Sequence, residues 1–99
     1  WYLFYDDRAR PGCQLVDIPA VFPQSDNGTA EIESWHVAEG QTIQPGQPLV
    51  TLAYCRHDDD HTVNLNSPAL GVVMALFKDE LDDVNQGEVL CRIEAVVRR

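Results

Sequence analysis

The chain has 99 residues, a formal net charge of −9 and a sequence pI near 4.4. Its length is enough for one small domain with a modest core, and its 44% of apolar and 23% of charged residues are typical of a globular protein. The acidic balance argues against nucleic acids and anionic membrane surfaces as partners, because both are bound by clusters of Lys and Arg, and it suits a basic protein partner.

The first fourteen residues, WYLFYDDRARPGCQ, differ in composition from the rest and are assigned to an N-terminal extension, with the domain spanning residues 15–99. An aromatic run from Trp1 to Tyr5 is followed by a charged stretch that ends in Pro-Gly. This pattern predicts an additional edge strand or a tail that lies on the domain. A docking segment and the end of an upstream membrane helix are the alternatives. A start at Trp1 rather than Met is what we expect of a chain that is processed or cut from a longer protein.

The three cysteines, Cys13, Cys55 and Cys91, are too widely spaced to form a disulfide framework. We therefore predict a reducing compartment, the cytoplasm, with one disulfide and one free thiol as the alternative. Lysine occurs once, as Lys78.

Six segments from residue 14 onward predict β-strands, because they are short, rich in Val, Ile, Leu and aromatic residues, and separated by Gly, Pro, Asn and Asp. In chain order they are QLVDIPAVF, TAEIESWHV, PLVTLAYC, TVNLNS, GVVMALF and EVLCRIEAVV. The fifth of these segments has an alternative, which is a helix over VVMALFKDELDDV. Its start at Val72-Val73 and the tight flanking turns favour a strand followed by a turn.

An internal repeat relates the two halves of this region at an offset of 41 residues. The matched positions are Ile32, Ile43, Gly46, Leu49 and Leu52 in the first copy and Val73, Val84, Gly87, Leu90 and Ile93 in the second. Each half is too small to bury its own apolar face. The repeat therefore predicts two half-domains packed around a pseudo-two-fold axis, as an all-β sandwich or flattened barrel.

An ordered set of motifs over residues 15–95 resembles the biotinyl/lipoyl domain, the barrel-sandwich hybrid of 2-oxo-acid dehydrogenases, biotin-dependent carboxylases and the glycine-cleavage carrier. The set consists of Glu39-Gly40, Gly46, Leu49, Ser67-Pro68, Gly71-Val72-Val73, Gly87 and Leu90. One departure is Leu81, which stands where the second half of this family usually has Gly. The resemblance implies a lysine at the tip of a β-hairpin, acylated by lipoate or biotin, and a domain that carries a group while its partners perform the catalysis.

The lysine that the resemblance implies is absent. In this family it lies eight residues before the Pro that precedes the GVV-like strand, and here that position, counted from Pro68, is Asp60. A carboxylate cannot form the required amide, and the hairpin segment is longer than usual by about four residues. Lys78 matches an ordinary surface position at the end of a strand, where we expect a solvated lysine. We therefore predict a non-catalytic domain with no cofactor that binds a protein partner or supports an assembly.

Two other functions remain open at this point. One is a swinging-arm acyl or carboxyl carrier of a multienzyme complex, with lipoate or biotin attached elsewhere. The other is the hybrid domain of a membrane-fusion adaptor, with WYLFY as the end of a membrane anchor. In that family a long helical hairpin usually separates the two halves, whereas a short loop joins them here.

The segment CRHDDDH, from Cys55 to His61, lies where the carrier hairpin would be. The first interpretation is an exposed acidic tip, since Asp and His tolerate turns and like charges at a tip point into water. A metal site would use Cys55, His57, Asp59 and His61, and a catalytic site would use Cys55 as nucleophile and a histidine as base. We predict the exposed tip, with no metal ligand and no catalytic residue.

Overall fold

The computed structural model describes residues 12–97, which form eight β-strands and no helix. The strands are β1 (Cys13–Pro19), β2 (Thr29–Trp35), β3 (Thr42–Ile43), β4 (Pro48–Arg56), β5 (Asp59–Asn66), β6 (Gly71–Leu76), β7 (Asp83–Asn85) and β8 (Val89–Val96). No helix within these residues is long and apolar enough to cross a membrane. The N-terminal extension, including Trp1 to Tyr5, lies almost entirely outside the described residues.

The strands form two antiparallel four-stranded sheets, in the orders β1-β8-β6-β3 and β5-β4-β2-β7. Alternate residues of each strand point inward, so each sheet has one buried and one outer face. The buried side chains form two core clusters, one containing Leu49, Val73 and Ile93 and the other Leu90, Ile32 and Leu52. This architecture confirms the predicted all-β barrel-sandwich hybrid.

The predicted repeat is present in the strand registers. Ile32 of β2 faces Leu52 of β4, and 41 residues later Val73 of β6 faces Ile93 of β8. Both ladders shift register directly after this pair, so even the irregularity is repeated. Replacing each strand by its counterpart converts the order of one sheet into that of the other. The two halves are therefore equivalent in backbone and packing.

The turns between the strands repeat as well. Gly46 and Gly87 have φ of 81° and 85°, a conformation that favours glycine. The N–H of Gly46 donates to the Ser67 carbonyl at 2.7 Å, and the N–H of Gly87 donates to the Ala20 carbonyl at 2.8 Å. These two glycines therefore hold equivalent turns, Gly46 against the segment that directly follows β5 and Gly87 against the segment that directly follows β1.

Leu81 lies at a turn position where the first half of the molecule has a glycine. Its counterpart Gly40 has φ of 87°, and Leu81 itself has φ of 75° with 73% of its surface exposed. Each of the two N–H groups donates a 2.7 Å hydrogen bond across the molecule, from Gly40 to the Val73 carbonyl and from Leu81 to the Ile32 carbonyl. The fold therefore keeps the left-handed turn although the residue has a Cβ.

The strands differ most clearly from the predicted ones at β1, β3, β5 and β7. β3 and β7, of two and three residues, carry too few positions for a sequence pattern. β1 ends at Pro19, although Ala20 and Phe22 still pack in the core. β5 begins at Asp59 rather than at Thr62, which lengthens the hairpin. The segment after Val72 is a strand followed by a turn, as predicted.

Candidate functional site

The β4–β5 hairpin forms the candidate site. β4 has nine residues and β5 has eight, and their ladder runs from the pair Pro48–Asn66 to the pair Arg56–Asp59. A two-residue turn, His57-Asp58, joins the strands. All residues from 56 to 62 are exposed. The tip therefore projects beyond the core clusters.

The turn has the backbone of a type I′ hairpin, in which both central residues have positive φ. His57 has φ of 56° and Asp58 has φ of 65°. This geometry matches the right-handed twist of the strands and usually selects Asn-Gly or Asp-Gly. Since neither residue here is glycine, an external contact that holds the turn is expected.

Asp26, in the loop between β1 and β2, provides that contact. Its Oδ1 accepts the N–H of His57 at 3.0 Å and its Oδ2 accepts the N–H of Asp58 at 3.1 Å. Its own N–H donates to the Cys55 carbonyl at 2.8 Å. The hydrogen bond from Asp58, followed by the one from His57, lowers the pKa of Asp26. Asp26 therefore stays ionised and clamps both amides of the turn.

The loop that carries Asp26 is itself fixed. The buried Ser25 donates its hydroxyl to the Thr29 carbonyl at 2.7 Å. Phe22 exchanges two hydrogen bonds with the Gln86 side chain, at 2.9 and 2.7 Å, and its ring lies 6.4 Å from that of Tyr54. The hairpin tip is thereby connected to the core through the turn after β7, the loop between β1 and β2, and β4.

The structure separates the side chains that the sequence groups in CRHDDDH. His61 lies opposite Tyr54, and their rings stack at 5.4 Å, whereas Cys55 lies opposite Asp60. Because neighbouring residues of a strand point to opposite faces, Cys55 and His61 lie on different faces of the sheet. Within residues 12–97, no three His, Cys, Asp or Glu side chains are placed to hold a metal ion.

The Cys55 thiol is not activated. Its Sγ lies 3.7 Å from Asp26 Oδ2. Partial removal from water, followed by the negative charges of Asp26, Asp60 and Asp58, raises the pKa of Cys55. The thiol therefore remains protonated near neutral pH, whereas a nucleophile requires the thiolate. Cys91 is buried in the core, which raises its pKa to about 11.

Asp60, which the sequence count places at the position of the modified lysine, lies inside β5 opposite Cys55. The turn itself consists of His57 and Asp58. Neither the counted position nor the observed tip therefore has an amine.

Lys78 lies in the connection between β6 and β7 rather than in the hairpin. Its Nζ forms an ion pair with Glu88 Oε2 at 2.5 Å, which raises the pKa of Lys78 and lowers that of Glu88. The Lys78 carbonyl accepts the Trp35 indole N–H at 2.9 Å. This contact anchors the connection that carries the lysine. The solvated lysine that we expected is instead ion-paired and about 70% covered, since 29% of its side chain is exposed.

Sequence reasoning did not single out Asp26 or Tyr54. The segment SDNG predicted only a turn, and the contact of Asp26 with His57 joins residues 31 positions apart. The type I′ turn without glycine, which needs support from elsewhere, becomes apparent only once the register of β4 and β5 is known.

Comparison with known proteins gives one family and one fold. The model of a family described as "Biotin-requiring enzyme" matches residues 16–93. Among solved structures, the chain resembles the lipoyl domain of the 2-oxoglutarate dehydrogenase complex from Azotobacter vinelandii, with a TM-score of 0.60 and 22% identity over 77% of this chain and 94% of that domain. No curated protein matches the chain.

Proposed function

The chain belongs to the biotinyl/lipoyl domain family, and from this premise we propose that it carries neither lipoate nor biotin and acts as a protein-binding module of a larger assembly. Domains of this family hold a group for partner enzymes and are not themselves catalytic. In the proposed function, this domain still depends on partner proteins but has no attached group.

The observation that carries the proposal is the hairpin tip without lysine. Attachment of lipoate or biotin forms an amide with a side-chain amine, and the tip consists of His57 and Asp58. The only lysine of the chain, Lys78, lies outside the hairpin and is paired with Glu88. The residues present therefore do not fit the prosthetic group of the family at its usual place.

The clamped tip supports a role in recognition. Two backbone N–H groups of the turn donate to Asp26, so the exposed hairpin is held in one conformation. A preorganised surface binds with a smaller loss of conformational entropy than a mobile one. A hairpin that has lost its acceptor lysine but is still firmly held is thus suited to contact another protein.

A catalytic role for the hairpin lacks support, because Cys55 has a raised pKa and lies on the face opposite His61. The acidic charge favours a protein over a nucleic acid as partner. Location in a reducing compartment such as the cytoplasm remains a prediction from the spacing of the three cysteines.

A ligase assay tests the proposal. The whole chain and its Lys78→Arg variant are incubated with lipoate ligase or biotin ligase, the corresponding cofactor and ATP. Incorporation is measured by intact mass, with an authentic carrier domain as positive control. We expect no incorporation in either chain. Incorporation in the parent that disappears in Lys78→Arg would contradict the proposal and favour the carrier function.

A further inference from the structure

Four carboxylates lie on the outer face of the β5-β4-β2-β7 sheet. They are Glu31 and Glu33 on β2, Asp60 on β5 and Asp83 on β7. None of them forms a hydrogen bond or an ion pair with another of residues 12–97. Their charge is thus not neutralised by a direct contact within residues 12–97.

The same face is concave. The concavity has a volume of about 530 Å³, and Ala53 lies at its centre, between Glu31 on β2 and Thr62 on β5. On its other side Glu31 faces Asp83 of β7. The small side chain of Ala53 leaves space that a longer residue would fill, and the carboxylates stand around that space. A volume of this size is within the range of sites that bind small molecules or side chains.

The repeat serves as an internal control for this face. The positions that correspond to Glu31 and Glu33 in the second half are Val72 and Met74, whereas Ile32 between them corresponds to Val73. The inward residue is apolar in both halves because the core requires it. The outer residues differ although the backbone is equivalent, so the fold does not require the two carboxylates.

The arrangement fits several positive charges rather than one metal ion, since no three ligating side chains of residues 12–97 converge. This part of the chain has fourteen Asp and Glu but only three Lys and Arg. Two of those three are ion-paired, Lys78 with Glu88 and Arg92 with Asp17. Counter-ions are therefore scarce within residues 12–97, and a basic partner would relieve the repulsion between the carboxylates.

We propose that this concave acidic face, defined by Glu31, Glu33, Asp60 and Asp83 around Ala53, binds a segment of a partner protein that carries Lys or Arg side chains. The inference rests on the proposed function and specifies the chemistry of its partner. The aliphatic stem of a lysine or arginine packs over Ala53, and its charged end reaches the surrounding carboxylates.

Binding of a probe peptide tests the proposal. The probe is a fluorescently labelled peptide of alternating Lys and Thr residues, titrated with the 99-residue chain at low and physiological ionic strength. The first variant, Glu31→Gln/Glu33→Gln/Asp83→Asn, removes three charges from the face. The matched control, Asp79→Asn/Glu80→Gln/Asp82→Asn, removes three charges from exposed positions outside both this face and the hairpin tip. Amide chemical shifts of the parent and of both variants show whether the fold is retained and where the peptide binds.

We expect saturable binding by the parent, with shifts concentrated on β2, β4 and β7. The face variant should bind at least about ten-fold more weakly, while the control should stay within about two-fold of the parent. Equal loss in both variants would show attraction to net charge alone and overturn the proposal. Absence of saturable binding, or stoichiometric Ca²⁺ binding by the same carboxylates, would overturn it as well. Because the probe is tested on unmodified recombinant chain, these outcomes are independent of whether a ligase can modify Lys78.

Discussion

The two halves of the molecule have the same strand order and register, but they differ at the ends of the strand pairs β4–β5 and β8–β1. In the first half, β4 and β5 are joined by the clamped turn at His57 and Asp58. The corresponding strands of the second half, β8 and β1, are paired from Val96 and Cys13 and are not connected by a turn. The residues that the core constrains are alike in both halves. The residues outside the core are not, and these are the positions at which a function can change without loss of the fold.

The largest expected effect concerns the shared core. Leu49 and Leu90 are both fully buried and occupy equivalent positions in the two clusters. Leu49→Ala and Leu90→Ala should each lower the free energy of unfolding by about 2–5 kcal/mol, because each removes buried methyl groups and leaves a cavity. Urea denaturation followed by circular dichroism measures both. A large loss in one variant and almost none in the other would break the equivalence of the halves.

A smaller effect is expected at the two left-handed turns. The Cβ of an alanine at Gly40 would meet no atom within 4 Å, so Gly40→Ala should be destabilising through the backbone alone, by about 1 kcal/mol. Leu81→Gly relieves the same strain but adds flexibility to the unfolded chain, and should stabilise the protein by about 0.5 kcal/mol. Thermal and urea unfolding compare the two variants. Destabilisation by Leu81→Gly would mean that the exposed leucine makes contacts that offset its strained backbone.

The smallest effect on global stability, but the clearest local one, is expected at Asp26. Asp26→Ala removes the acceptor of the His57 and Asp58 amides, and these two amides should exchange with solvent faster while those of the core do not. Hydrogen exchange measured by NMR provides the test. Asp59→Ala, which changes the same charge beside the turn, is the matched control. Similar exchange of the turn amides in the two variants would contradict the clamp.

The clamp also has a defined pH dependence. The pKa of Asp26 lies below its usual value of 3.8, because the folded state favours the ionised form. Its contribution to the hairpin is therefore fully present above about pH 4–5 and is lost as the pH falls through the lowered pKa. The amide shifts of His57 and Asp58 should follow this transition together, and the transition should be absent in Asp26→Ala.

The fold could be predicted from the sequence because its signals are local and repeated. Apolar residues such as Leu49 and Leu90, next to turns that need Gly46 and Gly87, fix where strands begin and which side faces inward. Strands as short as β3 carry no such pattern, since two residues cannot display a period.

The details of the site could not be predicted in the same way. An insertion of about four residues can be divided between two strands in several ways, and only the hydrogen-bond register decides which residues form the turn. The observed pair Arg56–Asp59 places the turn at His57 and Asp58, two residues before the counted Asp60. The clamp by Asp26 depends on a contact between a side chain and a distant backbone, which leaves no periodic trace in the sequence.

We propose that this domain retains the scaffold of a carrier without carrying the group. The most direct test is the intact mass of the protein purified from its native host, with peptide mapping of the segments that contain His57–Asp58 and Lys78. We expect no lipoyl or biotinyl increment at any residue. A stoichiometric increment of either group, located at Lys78 or elsewhere in the chain, would contradict it.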